Sequence, residues 1–218
     1  MKQLITSLST LLAATSVHAA QLDVPESYDT ITAAIAASAP GDVIRVGPGI
    51  WTETLDFRGK AITIESTSGA ETTWITGVPN RSCVLFMAGE PTTAVLDGFT
   101  ISGGDGMPYQ GTTVGAGIYI FGDSNPTVRN CIVRDNQAQF GAGVHIALSS
   151  PSFESCTFTG NVSDSNGAAV RIHDNSFPSF VDCTFLNNHT NDFGGAIAYG
   201  NDSTGAHINC QFDGNTAD

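Results

Sequence analysis

The hexapeptide CTFTGN, at residues 156–161, recurs along the chain with the same pattern of residue types. The related stretches are CIVRDN (131–136), CTFLNN (183–188) and CQFDGN (210–215). Cysteine, an apolar residue and asparagine therefore repeat at steps of 25 to 27 residues. Self-similarity at such a period is typical of architectures in which one structural unit stacks on the next.

The apolar residues inside each unit alternate with their neighbours, as in Ala116, Ile118 and Ile120. A period of two indicates β-strands. Leucine-rich repeats have a similar unit length, but leucine is rare in these units and no helical stretch separates the strands. The pattern therefore predicts an all-β parallel β-helix of about seven coils beginning near Asp42, with successive strands about 4.8 Å apart.

Stacking places equivalent residues of successive coils above one another, in columns that run along the axis. Three inward columns are predicted: Ile118, Val144, Val170 and Ile197; Val133, Phe158, Phe185 and Phe212; and Cys131, Cys156, Cys183 and Cys210, with Phe99 one coil earlier. A fourth column contains Asn136, Asn161, Asn188 and Asn215. We expect these asparagines to turn the corner in left-handed backbone geometry and to link coils through their amides.

The cysteine column, together with Cys83, leaves two possibilities. A secreted chain usually oxidises its cysteines. In-register side chains, however, point the same way, so that their Cβ atoms lie about 4.8 Å apart, beyond the usual 3.5–4.5 Å of a disulfide. We therefore favour a ladder of buried free thiols. No metal site is predicted, because no Cys-x-x-Cys pair or histidine cluster accompanies the cysteines.

Residues 1–19 have the features of a secretory signal peptide. Lys2 gives a positive start, an apolar run follows, and Val17 and Ala19 fit the small-residue cleavage pattern. No later segment is long and apolar enough to span a membrane. We predict a secreted or cell-surface protein, extracellular or periplasmic.

The next segment, residues 20–41, is predicted to be an N-terminal cap with a short helix. Ile31, Ala34 and Ile35 follow helical spacing, and the possible N-cap residues are Ser27 and Asp29. Residues 42–218 would then form the β-helix, with regular repeats over 115–218 and an uncapped C-terminal end. The chain stops at Asp218, where another Gly-Gly-Ala unit would begin. We therefore expect a missing continuation, a partner at that end, or end-to-end self-association.

The charge of the chain excludes some partners. After the predicted signal peptide there are 21 acidic residues and 8 − 1 = 7 basic ones, which gives a formal charge of 7 − 21 = −14. Such a surface repels nucleic acid and anionic lipid. An anionic polymer would bind only where cations or a local basic patch intervene.

Candidate functional residues lie in the outward column next to the isoleucine column. It contains Tyr119, His145, Arg171 and Ala198, and His173 and Asp174 follow nearby. On one exposed sheet these side chains would form a sugar-binding or acid–base strip, with Tyr119 as a binding residue and His145 and Arg171 as candidates for both binding and catalysis. The alternative is an ordinary solvated surface.

An insertion interrupts the regular spacing. Phe99 and Cys131 are 32 residues apart, against 25 to 27 for later steps, and the excess lies in residues 103–115. Loops on a rigid scaffold often bind ligands. Asp105 and Tyr109 are the candidate sugar contacts, and a neutral surface insertion is the alternative.

The chain as a whole resembles secreted bacterial proteins of the pectin-lyase-like superfamily. The resemblance is carried by YDTITAAIAASAPGDVIRVGPGIWTETLDFRGKAITIES (28–66), VLDGFTISGG (95–104) and the glycine-rich units ending in asparagine. It implies a single-stranded right-handed parallel β-helix. Members include polysaccharide lyases, hydrolases, epimerases and non-catalytic adhesins, so that the fold alone does not select a function. Lyases of this kind hold Ca²⁺ on surface carboxylates beside a basic residue, which implies Ca²⁺ as a possible cofactor here.

The later units also resemble the repeats of chlamydial-type polymorphic outer-membrane proteins. Those repeats pair Phe-x-x-Asn with Gly-Gly-Ala-Ile, as in FTGN (158–161), FLNN (185–188), FDGN (212–215) and GGAI (194–197). Two functions follow from the two resemblances. The first is binding, and in its stronger form pectate-lyase-like cleavage, of an extracellular polysaccharide or cell-surface glycan. The second is a non-catalytic adhesin or passenger-domain fragment.

Overall fold

The computed structural model describes residues 19–218. The predicted signal peptide lies outside them except for Ala19. Over the described residues the chain winds into coils whose strands all run parallel to their equivalents one coil away. The predicted parallel β-helix is thereby confirmed.

Two long sheets run along the axis. The first has eight strands: β1 (Gln21–Val24), β2 (Val43–Val46), β5 (Thr63–Ser66), β8 (Val95–Asp97), β13 (Thr127–Arg129), β17 (Ser152–Glu154), β21 (Ser179–Val181) and β25 (Ala206–Ile208). The second has seven, as expected for about seven coils: β3 (Gly49–Thr52), β6 (Thr73–Thr76), β9 (Thr100–Ser102), β14 (Ile132–Arg134), β18 (Thr157–Thr159), β22 (Thr184–Leu186) and β26 (Gln211–Asp213).

The coil is closed by two further parallel sheets. The third sheet has six strands: β4 (Leu55–Asp56), β7 (Val84–Phe86), β12 (Ile118–Phe121), β16 (Val144–Ala147), β20 (Val170–His173) and β24 (Ile197–Tyr199). The fourth has four short strands: β15 (Gln137–Ala138), β19 (Val162–Ser163), β23 (His189–Thr190) and β27 (Thr216–Ala217). The insertion forms a separate antiparallel hairpin, β10 (Met107–Tyr109) and β11 (Thr112–Val114).

The core contains the stacked apolar columns that the repeat predicts. Phe158 pairs in register with Phe185, and Phe185 with Phe212. Their ring centroids are 4.8 and 4.7 Å apart, and the rings are nearly parallel. Because each ring rests on its equivalent in the next coil, the spacing of the backbone also sets the packing of the core.

The cysteines form another inward column. All five are free thiols, and Cys131, Cys156 and Cys183 are buried. The Phe99 amide lies 3.5 Å from Cys131 Sγ, which places Phe99 one coil earlier. Burial raises the pKa of Cys131 to about 12. Burial also raises the pKa of Cys156, so that Cys131 and Cys156 pack as small apolar groups with little thiolate character, whereas a hydrogen bond with Cys156 lowers the pKa of Cys183.

The asparagine column is a continuous chain of buried amides. Asn161 Nδ2 donates to the Val133 carbonyl and to Asn188 Oδ1, both at 2.9 Å. Asn161 Oδ1 accepts from Asn136 Nδ2 at 3.0 Å and from the Asn136 backbone amide at 3.3 Å. Asn188 repeats the pattern onto Asn215. Each side chain therefore satisfies backbone groups at the corner and joins its coil to the next.

The predicted left-handed geometry of these asparagines is wrong. The positive φ angles fall one residue earlier, and they belong to Asp135 (52°), Gly160 (63°), Asn187 (51°) and Gly214 (62°). The preceding residue turns the chain, and the ladder asparagine then points its amide into the coil. Turning and hydrogen bonding are therefore divided between two adjacent residues.

The N-terminal helix α1 (Ile31–Ala37) covers the first coil and buries Ile31, Ala34 and Ile35, as their spacing predicts. Its N-cap is Thr30, not Ser27 or Asp29. Glu53 from the coil accepts the amides of Ile31 and Thr32, at 3.1 and 2.9 Å, which makes Ile31 the start of the helix.

The last coil is largely exposed. Phe212 is 48 % exposed, and a concavity of about 490 Å³ lies beside it. Tyr199 and His207 occupy the positions of Ile172 and Phe180 one coil earlier, and Tyr199 Oη lies 2.6 Å from His207 Nε2. A continuation, a partner or end-to-end association stays a prediction.

Replacing Asn161 with Ala should lower the free energy of unfolding by about 3 kcal/mol, because the buried Val133 carbonyl loses its side-chain donor and the Asn136 backbone amide loses its acceptor. Asn136 Nδ2 and Asn188 Oδ1 each lose one of two partners. Urea unfolding would measure the change. Asn215→Ala is the matched control, since Asn215 is partly exposed and water can replace it. Equal losses for the two variants would contradict the buried amide ladder.

Candidate functional site

The predicted outward column exists, but half of it is not at the surface. Tyr119, His145, Arg171 and Ala198 pair in register on the third sheet. Tyr119 and His145 are each only 4 % exposed, so the prediction of one exposed strip is wrong for these two residues. Arg171 is half-buried.

The chain folds back over this column at a glycine in each coil. Gly115, Gly141 and Gly167 have φ angles of 55°, 58° and 68°. A methyl group on Gly141 would lie 2.6 Å from the Val144 carbonyl oxygen and 3.0 Å from His145 Cβ. Only glycine therefore allows the backbone to turn and to lie directly on the column.

The residues that precede these three glycines and Gly194 form a flanking row beside the column. Its members, paired through bridges and backbone hydrogen bonds, are Val114, Phe140, Asn166 and Phe193. Val114 packs with Tyr119, and the Arg171 guanidinium carbon lies 4.2 Å from the centroid of the Phe140 ring. In the earlier coils, the large side chains of the outward column thus fill the space between that column and the flanking row.

The space is not filled at the next step, because the column changes from Arg171 to Ala198. A cleft of about 190 Å³ opens there. Its lining residues are Asn166, Arg171, Phe193, Ala198, Tyr199 and Gly200. Phe193 is 70 % exposed, so its ring forms an open aromatic wall. Ala198 has a small side chain and lies on β24, the edge strand of the third sheet, and both features leave this space open.

Arg171 gives the cleft a cation. Within residues 19–218 no carboxylate lies within 4.0 Å of its guanidinium nitrogens. Burial lowers the pKa of Arg171, and nearby Asp174 opposes that shift; an arginine remains charged at neutral pH. A half-buried guanidinium of this kind suits a carboxylate, which it binds through two parallel hydrogen bonds.

Asp174, His173 and His145 form a hydrogen-bonded chain next to Arg171. Asp174 Oδ2 lies 2.8 Å from His173 Nδ1, and His173 Nε2 lies 2.8 Å from His145 Nε2. Since the ionised carboxylate only accepts, His173 donates from Nδ1 and its Nε2 accepts. With both rings neutral, His145 then donates from Nε2 to His173 Nε2.

The His145 ring is buried, and its Nδ1 makes no hydrogen bond of regular geometry within residues 19–218. Burial, followed by the charges of His173 and Arg171, holds the pKa of His145 well below its usual value, and a hydrogen bond with the Phe140 backbone opposes part of that shift. His145 is therefore a neutral imidazole enclosed by the protein.

The remaining predicted site residues lie on the insertion. Asp105 accepts a hydrogen bond from the Arg81 amide at 3.3 Å, and Tyr109 is 44 % exposed on the hairpin. Neither lines the cleft. Asn166 and Phe193 do line it, but the repeat pattern did not predict either as a site residue. The sequence feature that could have identified them is their position directly before a repeat glycine.

No group of three or more His, Cys, Asp or Glu side chains in residues 19–218 is arranged to hold a metal ion. Within the same residues, no helix has the length and apolar character required to cross a membrane. A role for Ca²⁺ stays a prediction.

Protonation of His145 should destabilise the protein. In the unfolded chain its pKa is near 6.5, whereas the folded-state pKa is lower. Below about pH 6.5 the unfolded state therefore binds a proton that the folded state does not, and stability falls by up to about 1.4 kcal/mol per pH unit. Thermal unfolding between pH 7.5 and 5 should show a shallower fall for His145→Phe than for the parent. An unchanged slope would contradict a buried neutral His145.

Solved structures similar to this one include two pectin methylesterases. One was solved in complex with a hexasaccharide; it is 11 % identical, with a TM-score of 0.51, and the match covers 88 % of this chain and 82 % of that one. The enzyme from Erwinia chrysanthemi is 10 % identical, with a TM-score of 0.50 and the same coverage. At these identities the likeness concerns the fold alone.

No curated protein sequence shows significant similarity to this chain. The profile of the family described as "Right handed beta helix region" matches residues 58–217. That range begins shortly after the first full coil and extends through β27, and thus includes the column, the flanking row and the cleft. The chain is therefore a member of the right-handed β-helix family.

Proposed function

We propose that this protein binds an extracellular polysaccharide or cell-surface glycan in the cleft beside Arg171, and that the bound sugar carries a carboxylate. The observation that carries the proposal is a half-buried guanidinium that has no carboxylate partner within residues 19–218, next to the exposed ring of Phe193. The protein would act outside the cytoplasm, where the predicted signal peptide would deliver it.

The lining of the cleft matches the chemistry of an acidic sugar. The Phe193 ring offers an apolar face for the C–H side of a sugar ring. The Asn166 amide can donate to and accept from hydroxyl groups, and Arg171 can hold a carboxylate. A few polar groups converging beside an aromatic wall are the usual composition of a small-ligand site.

The negative charge of the rest of the molecule limits binding of an acidic polymer to the neighbourhood of Arg171. The formal net charge is −13, so a polyanion is repelled from most of the surface. Arg171 supplies the local cation that such a ligand needs. The pectin methylesterase solved with a hexasaccharide supports the proposal by analogy of fold, since a β-helix there is bound to an oligosaccharide.

Cleavage is the stronger form of the proposal and has less support. Lyase-type elimination requires a base that reaches the bound sugar. His145 is neutral but does not line the cleft, and burial raises the pKa of Tyr199 to about 12. The geometry therefore supports binding better than turnover, and pectate-lyase-like cleavage by Arg171 or His145 stays a hypothesis. Unsaturated products, detected by ultraviolet absorbance, would demonstrate it.

A non-catalytic adhesin or passenger-domain fragment is the second candidate. It is favoured by exposed aromatic side chains at the cleft and in nearby coils, which are Phe177 (55 %), Phe193 (70 %) and Phe212 (48 %). Such side chains are enriched in protein interfaces. Adhesion to cells or proteins that soluble glycans do not inhibit would favour this function over the first.

Arg171→Ala should weaken binding of oligogalacturonate about tenfold or more in titration calorimetry, because a charged hydrogen-bonded pair is lost. Ala198→Trp should weaken it as well, by filling the cleft while leaving every lining polar group in place. Arg129→Ala is the matched control, since Arg129 is paired with Asp97 on the first sheet at 2.7 Å. Circular dichroism would verify folding, and undiminished binding by both cleft variants would refute the proposed site.

A further inference from the structure

We infer that His145 and His173 hold one added proton between them at mildly acidic pH, and that this proton strengthens the binding of a carboxylate beside Arg171. The inference rests on the proposed function and extends it by naming what regulates the cleft. The two rings lie in a line of groups that needs three protons, and two neutral rings supply two of them.

The two histidine rings lie between two hydrogen-bond acceptors. At one end Asp174 Oδ2 is 2.8 Å from His173 Nδ1, and in the middle the two Nε2 atoms are 2.8 Å apart. At the other end the Phe140 backbone hydrogen-bonds His145 and opposes the lowering of its pKa by burial, as a carbonyl acceptor does, although the geometry at Nδ1 is not regular. The turn at Gly141 lies against this ring, since a methyl group on Gly141 would be 3.0 Å from His145 Cβ.

A line with an acceptor at both ends requires a donor at every contact. The Phe140 carbonyl and the Asp174 carboxylate only accept, so the ring nitrogen that faces each of them must carry a proton. The contact between the two Nε2 atoms needs a further proton. Because each neutral imidazole carries a single N–H group, one contact in the neutral line joins two acceptors. One added proton gives every contact a donor, so the arrangement favours a single positive charge on the pair.

The added charge belongs on His173. Its side chain is 16 % exposed, whereas His145 is buried and keeps a neutral ring that donates from Nδ1. Asp174 stays ionised beside it, because a hydrogen bond from Asn201 at 2.6 Å lowers the pKa of Asp174. Burial lowers the pKa of His173 and Asp174 opposes that shift, so the proton binds below neutral pH.

Tyrosines and an arginine around the pair keep their charge between pH 7.5 and pH 5. Tyr119 packs on the His145 ring, with the centroids 5.5 Å apart, and Tyr199 lies on β24, the strand that pairs with β20. Burial raises the pKa of each tyrosine to about 12, so both stay neutral. Arg171 stays charged. Among these groups, only the histidine pair therefore changes its charge in this range.

His173 lies next to the cleft. Arg171 and His173 are two residues apart on the outward face of β20, about 6.6 Å along the strand. Beside them in the next coil are Ala198 and Gly200, which line the cleft, and a methyl group on Gly200 would lie 3.8 Å from His173 Cβ. While the pair is neutral, the charge of Asp174 offsets that of Arg171. A proton on His173 gives the three side chains a net positive charge.

Protonation of His173 and binding of a carboxylate therefore strengthen each other. Burial lowers the pKa of His173, and repulsion by Arg171 adds to that shift. A carboxylate on Arg171 reduces the repulsion and attracts the proton, so that the pKa of His173 rises when the ligand binds. By linkage, the protonated protein binds the ligand more tightly by the same factor.

The affinity for a trimer of galacturonate, measured by titration calorimetry, should rise about threefold to tenfold between pH 7.5 and pH 5, since His173 gains its proton while the sugar carboxylates stay ionised. Titrations in buffers of different ionisation enthalpy should show proton uptake on binding. His173→Gln should remove both effects. His189→Gln, which replaces a histidine on β23 in the fourth sheet, is the matched control and should retain both.

Nitrogen chemical shifts of the imidazole rings provide a second readout, which needs no ligand. At pH 5, His173 should be protonated on both nitrogens and His145 on Nδ1 alone. The inference is overturned if both rings stay neutral or both become charged, or if the affinity of the parent does not vary with pH; in these cases the proposed function still stands. If Arg171→Ala does not weaken binding of the trimer, the proposed function is wrong, and the inference is overturned with it even when the rings titrate as expected.

Discussion

Backbone hydrogen bonding between parallel strands of successive coils holds equivalent residues in register, and most of the structure depends on that constraint. It turns a repeated sequence into columns of like side chains. Where the column is apolar, rings stack as Phe158 does on Phe185. Where it is polar, amides link as Asn161 does to Asn188. The core therefore consists of columns of side chains parallel to the axis, and each coil packs mainly against its two neighbours.

The same constraint creates the candidate site. Because the flanking row and the outward column advance together by one coil, the space between them is set by the size of the column side chain at each step. Tyr119 and His145 fill it, Arg171 fills part of it over Phe140, and Ala198 leaves it open. A small side chain on the edge strand of this sheet thus accompanies a cleft on an otherwise regular surface, and the cation at its edge has no carboxylate partner within residues 19–218.

The repeat predicted the columns correctly because register follows from period alone, and local spacing was enough to find α1. It did not predict that Tyr119 and His145 are buried. Their cover comes from the hairpin and from backbone turns at Gly115 and Gly141, whose placement depends on tertiary folding. Nor did it predict Asn166 and Phe193 as lining residues, since their exposure depends on a neighbour one coil away. The sequence therefore predicted which residues belong to each column, but it did not predict the contacts between different columns.

The most direct test of this account is a nuclear Overhauser experiment on the side chains of the amide and phenylalanine columns. The account predicts strong effects between the Asn161 and Asn188 side-chain amides, and between the Phe158 and Phe185 rings, which are 27 residues apart in sequence. Effects that instead connect Asn161 with residues at other repeat positions, or none between the two rings, would show that the coils are not stacked in register. Such a result would contradict the fold and the cleft together.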